Sequence, residues 1–203
     1  MDQYDEHKAS DAAWAFLRSN STATLRFGEN SQDISYIVAP DGRLVISAMV
    51  AMLQPCDTIM FVPEYAEDCM EMHVSLNQFL ENGDDGTLAD RWQVYHGVPP
   101  DTQWAIVDID AARYHEMFID GETLTRENLL AEDEVSLCKK LNKNKDTIRL
   151  VCASKTNVEV SDPFVVGVDS LGIDIRAPFG IVRIQAETPF VSASDVLALF
   201  NLK

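Results

Sequence analysis

Three histidines lie in one half of the chain, on or beside segments where the sequence predicts β-strands. They are His73, His96 and His115. Imidazole is a common ligand of metal ions and of haem iron, so convergence of these side chains would form a metal or haem site. No pair of them has the i, i+4 spacing of a His-Glu-x-x-His helix. We therefore expect surface or barrel-rim histidines and predict no metal site.

Two tryptophans and a group of methionines are candidates for binding a flat ligand. Trp92 and Trp104 could stack on a planar ring, and the alternative, which we favour, is packing in a barrel core. The methionines could line an adaptable binding surface, but they fall in the apolar register of predicted strands, which favours a core position. They are Met49, Met52, Met60, Met70 and Met72.

Charged side chains cluster at two places in the sequence. Four carboxylates lie in the segment 81–90, without the residue order of a calcium-binding loop, and we interpret that segment as a solvated loop. The segment 139–145 carries four lysines, which could receive an anion or an acidic partner. The alternative is a solvated helix end, where lysine is favourable. The sequence contains no nucleophile elbow, phosphate-binding loop or dinucleotide fingerprint, so we assign no catalytic residue.

Composition excludes several classes of function. The chain has 203 residues, of which 46% are hydrophobic, and this is enough to form a core. Its formal net charge is −17, so its surface repels nucleic-acid phosphates and anionic lipid. We therefore expect neither a nucleic-acid partner nor a membrane partner.

The spacing of the cysteines and the composition of the N-terminal residues indicate the cellular compartment of the protein. The four cysteines have no C-x-x-C spacing, and we expect them to be reduced thiols. The first residues are acidic and lack the plan of a signal peptide, and no apolar run has the length of a membrane span. These features predict a cytoplasmic protein.

The first part of the chain is predicted to be rich in β-strands. Met70–Asn77 alternates apolar and polar residues, and an Asp41-Gly42 step predicts a tight hairpin turn. Seven further strands are predicted at Thr22–Phe27, Ile34–Ala39, Leu44–Ala48, Ile59–Val62, Arg91–His96, Trp104–Ile109 and Tyr114–Ile119. Because short links do not allow parallel crossovers, these strands should form an antiparallel barrel preceded by a short helix.

The pattern changes after about residue 123. A helical stretch is predicted from Thr125 to about Ala153, with a break near residues 142–144, and a three-stranded meander follows it. Ser192 and Asp195 have the spacing of a capping box at the start of a final helix. We therefore predict a split-barrel domain at 1–123, with its N-terminal helix, and a small α+β domain at 124–203.

Three passages together resemble the FMN-binding split-barrel family, which contains the pyridoxamine-phosphate-oxidase-like proteins. Ser21–Leu25 resembles the opening strand of that family, and Ala39–Ser47 resembles its second hairpin, in which a serine ends the strand beside the flavin. The pattern G-x-D-x-x-G-x-D-x-R at 167–176, followed by V-R-I and P-F, resembles the α+β domain of the haem-utilisation branch.

The resemblance implies an antiparallel split barrel followed by a small α+β domain, and a homodimer with the flavin at its interface. It implies flavin-dependent oxidation or reduction of a small-molecule substrate. The residues that would contact FMN are Ser47, Arg26 and Arg43, with Trp92 as a stacking wall.

Departures from the family pattern lead to a second hypothesis. The run after Ser47 lacks the histidine and the polar cluster of the family, and residues 19–90 contain no lysine and only two arginines, Arg26 and Arg43. The segment 139–145 lacks the histidines of the haem branch. We therefore expect weak FMN binding, in the micromolar range or poorer, or none, and no haem binding. The alternative function is a non-catalytic dimeric binding or regulatory protein that has lost its flavin or haem site.

Overall fold

The computed structural model describes residues 3–101 and 103–202. The chain divides into two compact units, Met1–Arg126 and Glu127–Lys203, each with its own hydrophobic core. We call them the N-terminal unit and the C-terminal unit. No helix among the described residues is long and apolar enough to cross a membrane.

The N-terminal unit is a closed antiparallel barrel. Its elements are α1 (Gln3–Ser19), β1 (Thr22–Phe27), β2 (Asn30–Val38), β3 (Leu44–Ala48), β4 (Thr58–Val62), β5 (Met70–Phe79), α2 (Gly86–His96), β6 (Gln103–Tyr114), β7 (Met117–Asp120) and a 3₁₀ helix (Gly121–Leu124). The strand order is β3-β2-β1-β4-β5-β6-β7, and pairing of β3 with β6 closes a six-stranded barrel. The predicted fold class, an antiparallel barrel followed by an α+β unit, is confirmed.

Alternation of side chains explains why these segments are strands. Ala23, Leu25 and Phe27 of β1 all point into the core, whereas Arg26 between them is exposed. Four of the five methionines are buried in the same core, and the fifth packs against it. The buried four are Met52, Met60, Met70 and Met72. These four methionines are core residues, as the sequence favoured, and do not line a binding surface.

The turn between β2 and β3 requires glycine. Gly42 has a φ of +89°, which side-chain-bearing residues rarely adopt. A Cβ atom added there would also lie 2.5 Å from the backbone nitrogen of Arg126. The Asp-Gly step of the sequence therefore marks both the sharp turn and a close approach of the chain to itself.

One predicted strand is wrong. Arg91–His96 belongs to the helix α2, which runs from Gly86 and buries a helical set of positions, Leu88, Ala89, Trp92 and Tyr95. The spacing of these residues is i, i+1, i+4 and i+7, which is that of a helix face. The strand prediction considered only the second half of the segment, where Trp92 and Val94 alternate with polar residues. The barrel therefore has a helix between β5 and β6.

The last part of the barrel also differs from the prediction. Trp104–Ile109 and Tyr114–Ile119 were expected as two strands, but β6 continues without a break to Tyr114. The chain then turns at His115 and Glu116, whose φ values are +47° and +64°, and returns as the short strand β7.

The C-terminal unit is a small α+β structure. It contains α3 (Ala131–Leu141), α4 (Lys145–Thr156), β8 (Phe164–Asp169), β9 (Gly172–Ala177), β10 (Gly180–Gln185) and α5 (Ala193–Leu199). The strands form an antiparallel meander in the order β10-β9-β8. The predicted break near residues 142–144 separates α3 from α4, and the predicted capping box begins α5.

Side chains from α3 and its flanks bind the outer backbone edge of β8. Asn128 donates from Nδ2 to the carbonyl oxygen of Val168 at 2.8 Å, and Glu134 accepts from the Val168 nitrogen at 3.0 Å. Asn142 bonds both the nitrogen and the carbonyl oxygen of Val165, each at 2.8 Å. These bonds satisfy backbone groups that an edge strand would otherwise leave without a strand partner.

A buried ion cluster holds the meander together. Arg183 on β10 donates to Asp174 on β9 at 2.7 Å and to both carboxylate oxygens of Asp169 at 2.7 and 2.9 Å. The Arg183 side chain is only 6% exposed. Asp169 also accepts from the backbone nitrogens of Leu171 and Gly172, which fixes the β8–β9 turn.

Candidate functional site

The candidate site is a cavity of about 330 Å³ in the N-terminal unit. It lies against β1, β2 and the end of β3, and the chain after β4, the helix α2 and the loop before β6 complete it. The described residues that line it are Thr22, Ala23, Gln32, Asp33, Ile34, Ser35, Ser47, Pro63, Glu64, Trp92, Pro100 and Asp101. Its volume is at the lower end of the range for small-molecule sites.

Ser47, a predicted site residue, lies in this cavity but is already hydrogen-bonded. It is 4% exposed. Its Oγ donates to the carbonyl oxygen of Asp101 at 3.1 Å and accepts from the Asp101 nitrogen at 3.3 Å. Ser47 therefore fixes the loop between α2 and β6. None of the described residues that line the cavity is a histidine or lysine that could activate this hydroxyl as a nucleophile.

Trp92, the predicted stacking wall, also lines the cavity and anchors α2 to the barrel. Its Nε1 donates to the carbonyl oxygen of Ser35 at 3.1 Å, and its ring packs edge-to-face on Trp104 with centroids 5.5 Å apart. Trp104 in turn donates to a carboxylate oxygen of Glu81 at 2.7 Å. Both indoles are buried, but neither belongs to the barrel core that the sequence favoured for them. Trp92 lies on α2 and forms part of the cavity wall, and Trp104 alternates along β6 with Ala105 and Val107, which are in that core.

The two predicted arginines are not among the residues that line the cavity. Arg26 is exposed on β1, with its guanidinium carbon 5.4 Å from the centre of the Phe61 ring. Arg43 binds Asp41 and Asp85 at 2.7 and 2.8 Å, and the bond to Asp85 is the largest cause that raises the pKa of Arg43. The structure therefore brings Ser47 and Trp92 together and leaves both arginines elsewhere.

Carboxylates that were not among the predicted site residues supply the charge of the cavity. They are Asp33, Glu64 and Asp101. No described lining residue is Lys, Arg or His. The one available signal was alternation along β2, since Asp33 and Ser35 share a face, but the predicted strand began at Ile34, four residues after the start of β2 and one residue after Asp33. Nothing in the sequence relates Glu64 or Asp101 to that strand.

The three histidines do not converge. His73 is exposed on β5, 3.9 Å from a carboxylate oxygen of Glu71. His96 lies at the end of α2, where its Nε2 is 3.0 Å from the carbonyl oxygen of Tyr36, and His115 occupies the β6–β7 turn. Within residues 3–101 and 103–202, no group of three or more His, Cys, Asp or Glu side chains could hold a metal ion.

The residues present do not fit FMN or haem. The FMN phosphate is a dianion that binds through charge-assisted donors such as arginine and lysine, whereas the described charged side chains around the cavity are carboxylates. Haem iron takes an axial ligand such as histidine, and none of the described lining residues is one.

A second cavity lies in the C-terminal unit. It measures about 580 Å³ and is lined by Arg149, Leu150, Ala153, Glu159, Val160, Ser161, Pro178 and Phe179. Arg149 donates to the carbonyl oxygen of Ser161 and to Asp146, so its charge is already satisfied. The cavity is an apolar groove with Leu150 and Phe179 exposed at its surface.

Comparison with known proteins supports the fold. No family model matches the chain, and no curated protein matches it. The crystal structure of Atu2129, a protein of unknown function from Agrobacterium tumefaciens, is similar, with a TM-score of 0.72 and 14% identity over 99% of this chain and 96% of that one. A heme binding protein from Mycobacterium smegmatis gives a TM-score of 0.45 and 15% identity over 95% of this chain and 94% of that one. The first likeness shows that the two-unit fold occurs in another protein.

Proposed function

We propose that this chain is a non-catalytic small-molecule-binding protein built on a split barrel, with the cavity beside Ser47 and Trp92 as its site. The observation that carries the proposal is the composition of the cavity wall, in which a buried indole lies among carboxylates without a described basic residue. Such a wall supports binding of a small ligand and provides no donor set for a phosphate.

Binding without catalysis is supported by the state of the polar groups. Ser47 is hydrogen-bonded to the Asp101 backbone, and the indole nitrogen of Trp92 is hydrogen-bonded to Ser35. Among the described lining residues there is no histidine, cysteine or lysine. The carboxylates Asp33, Glu64 and Asp101 are the lining groups that could accept a proton, and Oδ1 of Asp33 already accepts a hydrogen bond from Thr24.

The rival function is a flavin-dependent oxidoreductase of the FMN-binding split-barrel family. It is favoured by one observation, which is that Ser47 and Trp92, two residues that the family resemblance assigned to the flavin, line the same cavity. The protein would then supply placement of the flavin, and the flavin would supply the redox chemistry. This function requires basic donors for the phosphate, and Arg43 is one of the two candidates that the resemblance offers.

Calorimetric titration with FMN and with riboflavin separates the two functions. Riboflavin carries the same ring system without the phosphate, so it isolates the phosphate contribution. We expect FMN to bind no more tightly than riboflavin, with a dissociation constant in the micromolar range or weaker. An Arg43→Ala variant should leave FMN binding unchanged, because Asp41 and Asp85 already hold that guanidinium.

The flavoprotein function predicts the opposite results. A phosphate contact made by Arg43 would be worth about 1.5–3 kcal/mol, and its removal would weaken FMN by that amount while riboflavin stayed the same. Sub-micromolar FMN binding with this dependence on Arg43, together with a yellow purified protein, would overturn the proposal.

We also propose that the chain forms a homodimer, as the family resemblance implies. Exposed apolar side chains beside the cavity support this, since Tyr65 follows Glu64 and the 91%-exposed Val98 precedes Pro100 by two residues. Stable homodimer interfaces commonly bury about 2,000 Å² or more. Light scattering at micromolar concentration should give twice the chain mass of 22.7 kDa, and a monomeric mass would contradict the proposal.

A further inference from the structure

We propose that Asn82 is a site of spontaneous covalent modification, at which the backbone closes on the side-chain amide and releases ammonia. This inference does not depend on the proposed binding function. Its basis is the sequence Asn82-Gly83 in an exposed turn, together with the contacts that hold the chain on both sides of that turn. The modification affects the start of α2, the helix that contributes Trp92 to the cavity wall.

The reaction needs an unhindered backbone nitrogen after the asparagine. The nitrogen of Gly83 loses its proton to solvent and attacks Cγ of Asn82, which forms a cyclic imide. The bond from Cγ to Nδ2 breaks, and this nitrogen takes a proton from solvent and leaves as ammonia. Water then opens the imide at either carbonyl carbon and gives aspartate or isoaspartate, without any oxidant or reductant. Because glycine has no Cβ atom and a flexible backbone, a following glycine favours the attack.

Asn82 differs from the other eight asparagines of the chain in its neighbour and in its side chain. It is the asparagine that precedes a glycine. It is exposed, and its amide forms no hydrogen bond with another described residue. Three of the others precede residues that carry a Cβ atom and lack such a bond, and the remaining five have hydrogen-bonded side chains. Those five are Asn20, Asn77, Asn128, Asn142 and Asn144.

The turn that contains Asn82 restrains the reaction without preventing it. The Gly83 nitrogen donates to the carbonyl oxygen of Leu80 at 2.9 Å, so this hydrogen bond must open before the nitrogen can attack. Leu80 is 63% exposed, and Asn82 and Gly83 are also exposed, so opening the turn uncovers no core residue. Local openings of this kind require much less free energy than global unfolding. The reaction therefore proceeds in the folded protein, although more slowly than in the unfolded chain.

The isoaspartate product disturbs the contacts on both sides of the turn, because its main chain contains an additional methylene group. On one side, the Glu81 carboxylate accepts a hydrogen bond from Nε1 of Trp104 at 2.7 Å. On the other side, Gly86 lies so close to Glu81 that an added Cβ atom would be 1.9 Å from the Glu81 carbonyl oxygen. The longer chain therefore displaces Glu81 and alters its bond to Trp104. The aspartate product keeps the original chain length and adds only a negative charge.

The test follows the full chain during incubation at neutral and at mildly alkaline pH. Trypsin cleaves after lysine and arginine and releases residues 44–91 as one peptide, because neither residue occurs between Arg43 and Arg91. Fragment masses locate the change from amide to acid, and a sample digested before incubation gives the baseline. Asn77, whose side chain is hydrogen-bonded, is an internal control in the same peptide. We expect Asn82 to convert at least about tenfold faster than Asn77, which no glycine follows, and faster at the higher pH.

Two variants separate the mechanism from its products. Gly83→Ala adds a Cβ atom that comes no nearer than 3.2 Å to a non-neighbouring atom, so the turn is retained. It should slow the conversion of Asn82 at least about tenfold. Asn82→Asp has the charge of the product without the additional methylene group. We expect the NMR signal of the Trp104 indole N–H, assigned with a Trp104→Phe variant, to show a second peak in the incubated protein that Asn82→Asp lacks.

The possible results either support the proposal or overturn it. Equal rates at Asn82 and Asn77, or an unchanged rate in Gly83→Ala, would show that the Gly83 nitrogen is not the nucleophile. Conversion of Asn82 in the urea-denatured chain but not in the folded protein would show that the bond to Leu80 protects the turn, and the proposal would be wrong for the native state. Conversion at the expected rate without a second Trp104 peak would confirm the site and overturn its effect on the start of α2.

Discussion

Arg183 shows how one side chain can organise a small unit. Its guanidinium bridges Asp169 on β8 and Asp174 on β9 while lying almost fully out of solvent. The third passage that carried the family resemblance contains these three residues, two in its pattern at 167–176 and one in its V-R-I run. The resemblance in that region therefore reflects a structural requirement of the meander, since a buried guanidinium needs paired carboxylates.

Replacement of Arg183 tests this role. Arg183→Met removes the guanidinium that bridges two buried carboxylates, so we expect a loss of about 3–5 kcal/mol in the free energy of unfolding. The measurement is urea denaturation followed by circular dichroism. Lys155→Gln is the control, because the Lys155–Glu187 pair is exposed and its loss should cause a much smaller change. Equal losses in the two variants would contradict the assigned role.

Asp195 gives a prediction of pH dependence. Its pKa is lowered from the ordinary value of 3.8, first by the hydrogen bond from the Val191 nitrogen and then by the Ser192 side chain. A group with a lowered pKa in the folded state contributes stability above its ordinary pKa, and this contribution is lost as the pH falls through the lower folded value. The Asp195 carboxylate at the start of α5 should therefore make its full contribution to stability at neutral pH.

An Asp195→Ala variant should be less stable than the parent protein at neutral pH. The difference between the two proteins should shrink as the pH falls below 3.8, because the parent then loses the charge that the variant lacks. Thermal unfolding at a series of pH values measures this. A difference that stays constant with pH would show that the carboxylate charge does not contribute to the cap.

At the scale of elements, α2 decides the shape of the candidate site. The helix begins at Gly86, where an added Cβ would overlap the carbonyl oxygen of Glu81. Glu81 cannot move away freely, because its carboxylate accepts a hydrogen bond from Trp104. The start of the helix is thus packed against the same aromatic cluster that includes Trp92.

Gly86→Ala should therefore destabilise the N-terminal unit by about 1–3 kcal/mol through overpacking. It should also change tryptophan fluorescence, since it disturbs the contact beside Trp104. Gly83→Ala is a control close in sequence. Its Cβ would come no nearer than 3.2 Å to another atom, the Leu80 carbonyl oxygen, whereas the Cβ at Gly86 would lie 1.9 Å from the Glu81 carbonyl oxygen. A Gly86→Ala variant as stable as the control would indicate that Glu81 can shift without cost.

The elements also show what the sequence can and cannot predict. The strands Thr22–Phe27 and Leu44–Ala48 were predicted with the bounds that the structure has, because the alternation within the first and the Asp41-Gly42 turn before the second are local signals. The helix α2 was missed because Trp92 and Val94 alternate locally, and the burial of Leu88 and Ala89 against the barrel is a tertiary effect. The carboxylates of the site are distant in sequence, so only the closed barrel brings them together.

At the scale of the whole molecule, the chain has two cores. Leu25 and Ile175 are both fully buried, the first in the barrel core and the second in the core of the C-terminal unit. A large-to-small substitution in a core costs about 2–5 kcal/mol. Each substitution should act on the unit that contains it.

We expect Leu25→Ala and Ile175→Ala to shift different transitions in denaturant unfolding. Tryptophan fluorescence reports the N-terminal unit, because all three tryptophans lie there, and far-UV circular dichroism reports both units. Leu25→Ala should lower the denaturant concentration at the midpoint of the fluorescence transition. Ile175→Ala should leave that midpoint unchanged and should lower the midpoint of the part of the dichroism change that comes from the C-terminal unit. A single transition that both variants shift equally would show that the units unfold together.

The bonds from Asn128, Glu134 and Asn142 to β8 have a consequence for aggregation. An edge strand with open backbone groups is a template on which strands of other molecules can add. Here amide and carboxylate side chains already bind the nitrogen and carbonyl groups of Val165 and Val168. Intermolecular strand addition to the meander is thereby directed away from β8 and toward β10, at the opposite side of the sheet.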